Sequence, residues 1–332
     1  VAIAWGLLST AHINLKVLAG ARGSDRVRVL AVASRDGARA EAFAREHGIP
    51  RAHGSYEALL ADPDVDAVYI PLPNSLHVEW TLRALEAGKH VLIEKPFSRW
   101  PGEVERAFDA ADRAGLLLSE AFMWRHHPQT ARLLELIDDG AIGRLQHIRA
   151  AFAFDLMGRG DETDIRLQAD LEGGALMDVG CYCVSGIRLL AGEPERIHAE
   201  AVMGPSGVDL RLAGTLRLAG DVVGQFDCAF TTQHRDELEA IGTEGTLFLD
   251  DPWHCRRPGI ELRRADGVER IEIGAADPYR LELEDLSDAI RDGGRPRLGR
   301  EDALGQARVI EALYRSAETG LPVDPRSAAS AG

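Results

Sequence analysis

Three polar residues in this chain are of types and in places that could move a proton. Asp178 and Tyr182 stand four apart in Ala175–Ala191, an apolar stretch whose pattern predicts a helix, so both project from one face. Lys95 follows the strand-like run His90–Ile93 and is locked by Pro96. Oxidising a carbinol removes a hydride from carbon and a proton from oxygen. A tyrosine can take that proton, but its ordinary pKa of about 10 is too high for a base at neutral pH. An ammonium beside it, such as that of Lys95, favours the tyrosinate and lowers that value. In the reverse direction Tyr182 donates the proton to the developing alkoxide while Lys95 stabilises its charge. Asp178 then orients substrate hydroxyls or Lys95. The alternatives are structural: a hydrogen-bonding aspartate inside a helix, a core tyrosine and a solvated strand-end lysine.

The hydride must come from a cofactor, and the N-terminal turn offers a place for one. Gly6-Leu7-Leu8-Ser9-Thr10-Ala11 follows a strand pattern and opens a helix pattern that continues through His12 and Ile13. Gly6 permits a tight turn, small residues at Ser9 and Ala11 permit close approach, and a helix N-terminus presents free N–H groups and partial positive charge to a pyrophosphate. Ser9 stands where a second glycine is usual. An ordinary strand–helix turn would read the same, but alternating elements follow it. The second strand ends in Ser34-Arg35, with Arg39 a helical turn later and Asp36 placed to cap that helix. NAD sites usually carry a carboxylate at this strand end. A hydroxyl and two guanidiniums suit a 2′-phosphate instead, which favours NADP over NAD. In Leu72-Pro73-Asn74, Asn74 either caps a helix or lines the cofactor, and His77 is a core or cofactor-facing residue; cofactor contact is preferred for both.

These residues need an α/β scaffold. Strand patterns at Ala2–Trp5, Val27–Ala33, Ala67–Pro71, His90–Ile93 and Leu116–Ser119 alternate with helix patterns at Ala11–Ala19, Ala38–His47, Ser55–Leu60, Ser75–Ala87 and Gly102–Ala114. Short connections between alternating elements predict a parallel, doubly wound sheet. After Glu120 the pattern changes. A helix at Pro128–Asp139 and a strand at Leu145–Phe154 precede the Ala175–Ala191 helix. Strands are then predicted in succession: Arg196–Met203, Leu210–Leu218, Val222–Phe230, Leu238–Gly242, Thr246–Leu249, Gly259–Arg263 and Glu269–Ile273. Ala219-Gly220-Asp221 links two of them as a hairpin. This predicts an α+β domain with a large, open, mainly antiparallel sheet, closed by helices at Tyr279–Arg291 and Arg300–Thr319. The expected division is 1–120 and 121–323, with helices in 279–319 able to pack back on the first domain and a fraying tail at 324–332.

The bulk composition excludes several classes. The 332 residues exceed what one core usually covers. A net charge of −15 argues against nucleic acid as a partner. No apolar run is expected to reach the length needed to cross a bilayer, and no signal peptide is expected ahead of the strand at the start. Cys181, Cys183, Cys228 and Cys255 are too few for a disulfide framework and lack the spacing of a zinc site, and the adjacent side chains of His126-His127 diverge, so no metal is expected. A reducing, cytoplasmic setting fits.

Glu94-Lys95-Pro96, together with Gly173-Gly174-Ala175-Leu176-Met177-Asp178-Val179-Gly180-Cys181-Tyr182, resembles the hallmark pair of the glucose-fructose oxidoreductase / inositol dehydrogenase (Gfo/Idh/MocA) family. Tyr182 in place of the commoner histidine, and Glu120-Ala121-Phe122-Met123-Trp124-Arg125-His126-His127-Pro128, resemble the branch with glucose-fructose oxidoreductase, dihydrodiol dehydrogenase, NADP-linked xylose dehydrogenases and sugar ketoreductases. The resemblance spans essentially the whole chain. It implies a Rossmann NADP-binding domain with Glu94, Lys95 and Pro96 at the cofactor, and a sugar-like substrate. It also implies an arginine near the cofactor or substrate, placed here at Arg166. Trp124 and Arg125 border the pocket or form a structural arginine–carboxylate pair, and Tyr279 reaches toward it. A homodimer or homotetramer through the sheet is implied as well. Aldose oxidation at C1 is the preferred activity. Keto-sugar reduction and trans-dihydrodiol oxidation are the alternatives, and a non-catalytic NADP-binding sensor is the alternative of another class.

Overall fold

The computed structural model describes residues 1–327. They form two compact units: Val1–His126 with Asp277–Leu304, and His127–Ala276 with the chain from Gly305 onward. Each is described by itself.

The first unit is built on a six-stranded parallel sheet in the order β3-β2-β1-β4-β5-β6. Its strands are β1 Ile3–Leu7, β2 Val27–Ala33, β3 Arg51–His53, β4 Ala67–Ile70, β5 His90–Glu94 and β6 Leu118–Ala121. β3 was not expected: three half-buried residues carry no apolar run, and only pairing with β2 through Ala33 and His53 makes them a strand. The inner strands are buried on both faces, as parallel strands covered by helices must be. The helices are α1 Asn14–Arg22, α2 Gly37–His47, α3 Tyr56–Leu60, α4 His77–Glu86 and α5 Pro101–Ala114. Asp36 caps α2 by accepting from Arg39 N, and Ser55 caps α3 by accepting from Ala58 N. α1 starts later than its pattern, because residues 11–13 are held in turns. The helix Pro278–Asp292, capped by Asp277, belongs to this unit. It packs on α1 and on the short turn Met123–His126, so the unit runs past residue 120. Its Ser287 accepts a buried hydrogen bond from Trp5 Nε1 at 3.1 Å.

The second unit holds an eight-stranded sheet in the order β14-β13-β12-β11-β7-β10-β9-β8. The strands are β7 Leu145–Asp155, β8 Arg196–Met203, β9 Asp209–Arg217, β10 Val223–Ala229, β11 Thr231–Gly242, β12 Thr246–Leu249, β13 Gly259–Arg264 and β14 Gly267–Glu272. Every pairing is antiparallel except β7 with β10, which is parallel. β11 begins at Thr231, seven residues before the expected Leu238, because Thr231 and Arg235–Glu237 pair with β7 although their side chains are polar. α6 covers Pro128–Asp138, capped by His127 Nδ1. The expected 175–191 helix is a π turn, Leu176–Gly180, running into α7 Cys181–Ala191. The expectation on apolar runs needs one correction. Ala169–Ala191 contains a window with a mean hydropathy of 1.3, and 78% of that window is buried inside the protein, where it forms core. The four cysteines are buried with it. The helix Arg300–Thr319 continues into this unit, and Ile197 then bridges Val323. In the expected tail, Ser327 Oγ donates to Asp324 O at 2.6 Å, and residues 328–332 lie outside the described residues.

Candidate active site

In the first unit the turn after β1 is tighter than its sequence advertises. Ser9 has φ of +155°, a backbone region that favours glycine, so the serine occupies the second glycine's place in conformation as well as in sequence. Its hydroxyl accepts from Ala11 N at 3.1 Å, and Asn14 Nδ2 donates to Ser9 O at 2.7 Å, fixing the turn. Among the described residues, no hydrogen bond engages the backbone N–H groups of Thr10, His12 or Ile13 at the start of α1. Gly6 is packed beneath, where a Cβ would lie 2.6 Å from Leu59 Cδ2.

At the end of β2, Ser34 is buried and accepts from Asp36 N at 3.2 Å, while Arg35 and Arg39 are exposed. The Asp36 carboxylate caps α2, as expected. One residue here was missed. Tyr56, which opens α3, lies with its hydroxyl against Arg35 and within the field of Arg39, and burial pushes its phenol pKa up. Its ring meets Trp80 edge-on at 4.9 Å, and Arg83 covers Trp80 at 4.6 Å. The signal was Ser55, a helix cap just after a segment too short to read as a strand.

At the end of β5, Glu94 accepts from the Tyr69 hydroxyl and, at 3.1 Å, from Lys95 N. Tyr69 is fully buried and its phenol pKa is pushed well up by desolvation and then by Glu94. The Lys95–Pro96 peptide is cis. His77 requires a correction. It is fully buried, with Nδ1 2.9 Å from Pro96 O and Nε2 2.8 Å from Leu72 O. A neutral imidazole has one N–H, so it donates to one of these carbonyls and only packs against the other; enclosed between the Leu72-Pro73 and Lys95-Pro96 loops, it presents no edge to a cofactor. Asn74 does not cap α4; it opens the short 3₁₀ turn Asn74–Leu76, and α4 starts with no side-chain cap. Trp124 is 1% exposed, and Arg125 pairs with Asp302 at 3.4 Å. Tyr279 packs at the edge of this unit's core within the field of Glu94 and Glu282; burial pushes its phenol pKa up. Glu282, also missed, is buried, and desolvation with the nearby Glu94 charge raises its carboxyl pKa well above the usual range.

In the second unit, Asp178 sits in the π turn and Tyr182 in the first turn of α7. Tyr182 is 7% exposed, its ring 5.5 Å from Phe152 and 6.1 Å from Trp253. Asp178 pairs with Arg166 Nε at 2.9 Å, and Arg166 Nη1 pairs with Asp164 at 3.0 Å. Arg166, expected at cofactor or substrate, is thus engaged by two carboxylates of its own unit, and their charges raise its pKa. Gly173 and Gly174 wrap the carbonyl of Arg166, which accepts from Gly174 N at 2.8 Å. Gly174 has φ of +124°, and a Cβ there would lie 2.1 Å from Asp209 Oδ1.

Asp209 is the third residue that the sequence did not disclose. Its buried carboxylate accepts from Leu176 N at 2.7 Å and from the Tyr314 hydroxyl at 2.8 Å, so a strand residue caps the start of the π turn. Nothing in a lone aspartate next to a strand pattern points to this. Gln306 left a trace: it is a polar residue on the buried stripe Ala303, Ala307, Ile310 of its helix.

Two family descriptions match in sequence: "Oxidoreductase family, NAD-binding Rossmann fold" over residues 7–122, and "GFO/IDH/MocA C-terminal domain" over residues 130–248. The chain belongs to the Gfo/Idh/MocA oxidoreductase family. Within that family it is 41% identical over 324 residues to D-xylose 1-dehydrogenase (NADP(+)) 2 of Haloferax volcanii, covering 96% of this chain and 99% of the relative. It is 34% identical to the trans-1,2-dihydrobenzene-1,2-diol dehydrogenase of Danio rerio, covering 84% of this chain and 82% of the relative. Among solved structures it resembles KijD10, a 3-ketoreductase from Actinomadura kijaniata in complex with NADP and TDP-benzene, with a TM-score of 0.89 and 33% identity over 95% of this chain and 98% of that one.

The first unit meets a dinucleotide's needs. Free N–H groups at the start of α1 suit a pyrophosphate. Arg35 and Arg39 beside Ser34 suit a 2′-phosphate, with the Asp36 carboxylate turned to its own helix.

Proposed function

We propose that this protein is an NADP-dependent oxidoreductase transferring a hydride between the nicotinamide and a sugar or sugar-like alcohol or carbonyl, with oxidation of an aldose at C1 as the preferred case. The observation that carries the cofactor choice is the β2 end: a buried hydroxyl, two exposed guanidiniums and a tyrosine against one of them. The full-length likeness to an NADP-linked xylose dehydrogenase supports the substrate class. When bound, the nicotinamide supplies the hydride acceptor or donor. Tyr182 exchanges the proton with the substrate oxygen, and Lys95 stabilises negative charge on that oxygen. Asp178, paired with Arg166, orients substrate hydroxyls. KijD10 has also been solved as variants replacing one lysine and one tyrosine, residue types that match these two roles.

The test follows nicotinamide absorbance with D-xylose, D-glucose, a ketohexose and a trans-dihydrodiol, each with NADP and NAD. The aldoses with NADP should give the highest kcat/KM. A dominant rate in the reductive direction with the ketose would favour the keto-sugar reading. NADP binding with no turnover of any of these would favour a sensor. Lys95→Ala and Tyr182→Phe should each lower kcat by about 10²-fold or more with NADP affinity nearly unchanged. Unaltered turnover in either removes that residue from the chemistry. Arg35→Ala should raise the KM for NADP by about tenfold and leave that for NAD alone.

We also infer a homo-oligomer joined through the sheet of the second unit. Its open face forms a groove of about 550 Å³ lined by Phe226 and Phe248 with Arg149, Arg235, Glu237 and Glu239. A two-fold interface places one patch against itself, so a surface carrying both signs beside aromatic rings suits a second copy of this chain. Sedimentation of Arg149→Glu, Phe248→Glu against the unaltered protein tests it; the same oligomeric mass in both, or a monomer before substitution, overturns it.

A further inference from the structure

The π turn Leu176–Gly180 runs without interruption into α7. Cys181 N still bonds back five residues, to Leu176 O. Cys181 opens α7, so the peptide joining it to Tyr182 lies where π geometry gives way to α geometry. The Cys181 carbonyl receives a donor from outside its helix: Gln306 Nε2 donates to it at 2.7 Å. Gln306 is 1% exposed, and its Oε1 accepts from Arg188 Nη1 at 3.0 Å. Arg188 is in turn clamped by Glu193, whose Oε1 and Oε2 accept from its Nε at 3.1 and 3.0 Å. Arginine has only donors, so the amide has one possible orientation: oxygen to Arg188, nitrogen to Cys181 O.

We propose that Gln306 is a positioning residue for proton transfer. It holds the peptide joining Cys181 to Tyr182 and so sets the direction in which the Tyr182 phenol leaves α7. The inference rests on the reading of Tyr182 as the proton-transfer group. A ring packed on Phe152 and Trp253 has little freedom of its own, so its direction follows the backbone that carries it. A misdirected hydroxyl costs rate far more than it costs substrate or cofactor affinity.

Two substitutions separate the two bonds of the amide. Gln306→Glu keeps the acceptor for Arg188 and loses the donor to Cys181 O; Gln306→Leu loses both. In Gln306→Glu, kcat should fall about tenfold and the pH profile of kcat should shift. The KM for NADP should stay close to that of the unaltered protein, while the melting temperature should fall, because a carboxylate oxygen then faces the buried Cys181 carbonyl. In a Tyr182→Phe background the Gln306→Glu change should have no further effect on kcat, because a direction without a phenolic proton has no consequence. Full kcat and an unshifted profile in Gln306→Glu overturn the proposal. So does an additive loss in the Tyr182→Phe background, which marks a structural role. Should Gln306→Glu not fold, the same three readouts on Gln306→Leu decide it in the same way. Tyr182→Phe alone keeps the two ideas apart: full turnover there defeats the reading of Tyr182, whereas an inactive Tyr182→Phe beside an unaffected Gln306→Glu defeats only this inference.

Discussion

The two units hold their reactive side chains by different means. Lys95 sits at the end of a central strand, next to Glu94 and Pro96, and the nearest long bond to its loop is His77, 19 residues away. Neighbouring residues and adjacent strands do the holding. Tyr182 sits on a helix whose start is capped by Asp209, 33 residues on, and whose first carbonyl is held by Gln306, 125 residues on. A parallel α/β sheet aims all its strand ends at one edge, so topology alone delivers a strand-end residue to its place. A helix lying on an antiparallel sheet can rotate and slide, and side chains from elsewhere must stop it.

The largest expected effect tests the second half of that contrast. Asp209→Ala leaves Leu176 N and the Tyr314 hydroxyl buried without their acceptor. It should cost about 4 kcal/mol by chemical denaturation, with kcat reduced more than the KM for NADP. Unchanged stability would mean that the π turn needs no distant cap, and the contrast would break. The next prediction tests the first half. Burial holds the His77 pKa down to about 4, against an ordinary value of about 6.5. Between these values the unfolded chain binds a proton that the folded protein does not. The contribution is therefore complete above about pH 6.5 and lost as pH falls toward 4, by about 3 kcal/mol in all. Denaturation measured at pH 7, 5.5 and 4.5 should show this slope, and His77→Asn should flatten it. The smallest effect sharpens the local side. Ser9→Gly removes a side chain from a backbone at φ of +155° and should raise stability by about 0.5–1 kcal/mol, with NADP affinity retained. A loss instead would show that the hydroxyl's bond to Ala11 N outweighs the strain.

The same division separates what could be read in advance from what could not. The alternation of β1 to β6 with their helices, the Asp36 cap and the place of Lys95 follow from apolar periodicity and short connections, and they were legible. β3 was not, because its identity as a strand lies in β2 and not in its own residues. His77 was misread toward the cofactor, since a histidine's partners are two carbonyls that no pattern displays. Arg166 was placed near the reactive groups, but its pairing with both Asp164 and Asp178 needed the fold of the intervening loop. The residues added to β11 are polar, and the sheet recruits Thr231 and Arg235–Glu237 through backbone pairing.

By itself, the order of residues determined the two architectures, the cationic end of β2 and the identity of the lysine, aspartate and tyrosine that could do the chemistry. These depend on local periodicity and on side-chain type, which a chain carries whether folded or not. Only the tertiary structure decided how α7 is held, which carboxylates Arg166 meets and what His77 faces. Each of those depends on hydrogen bonds between groups distant in the chain, and a hydrogen bond has a direction that composition does not contain.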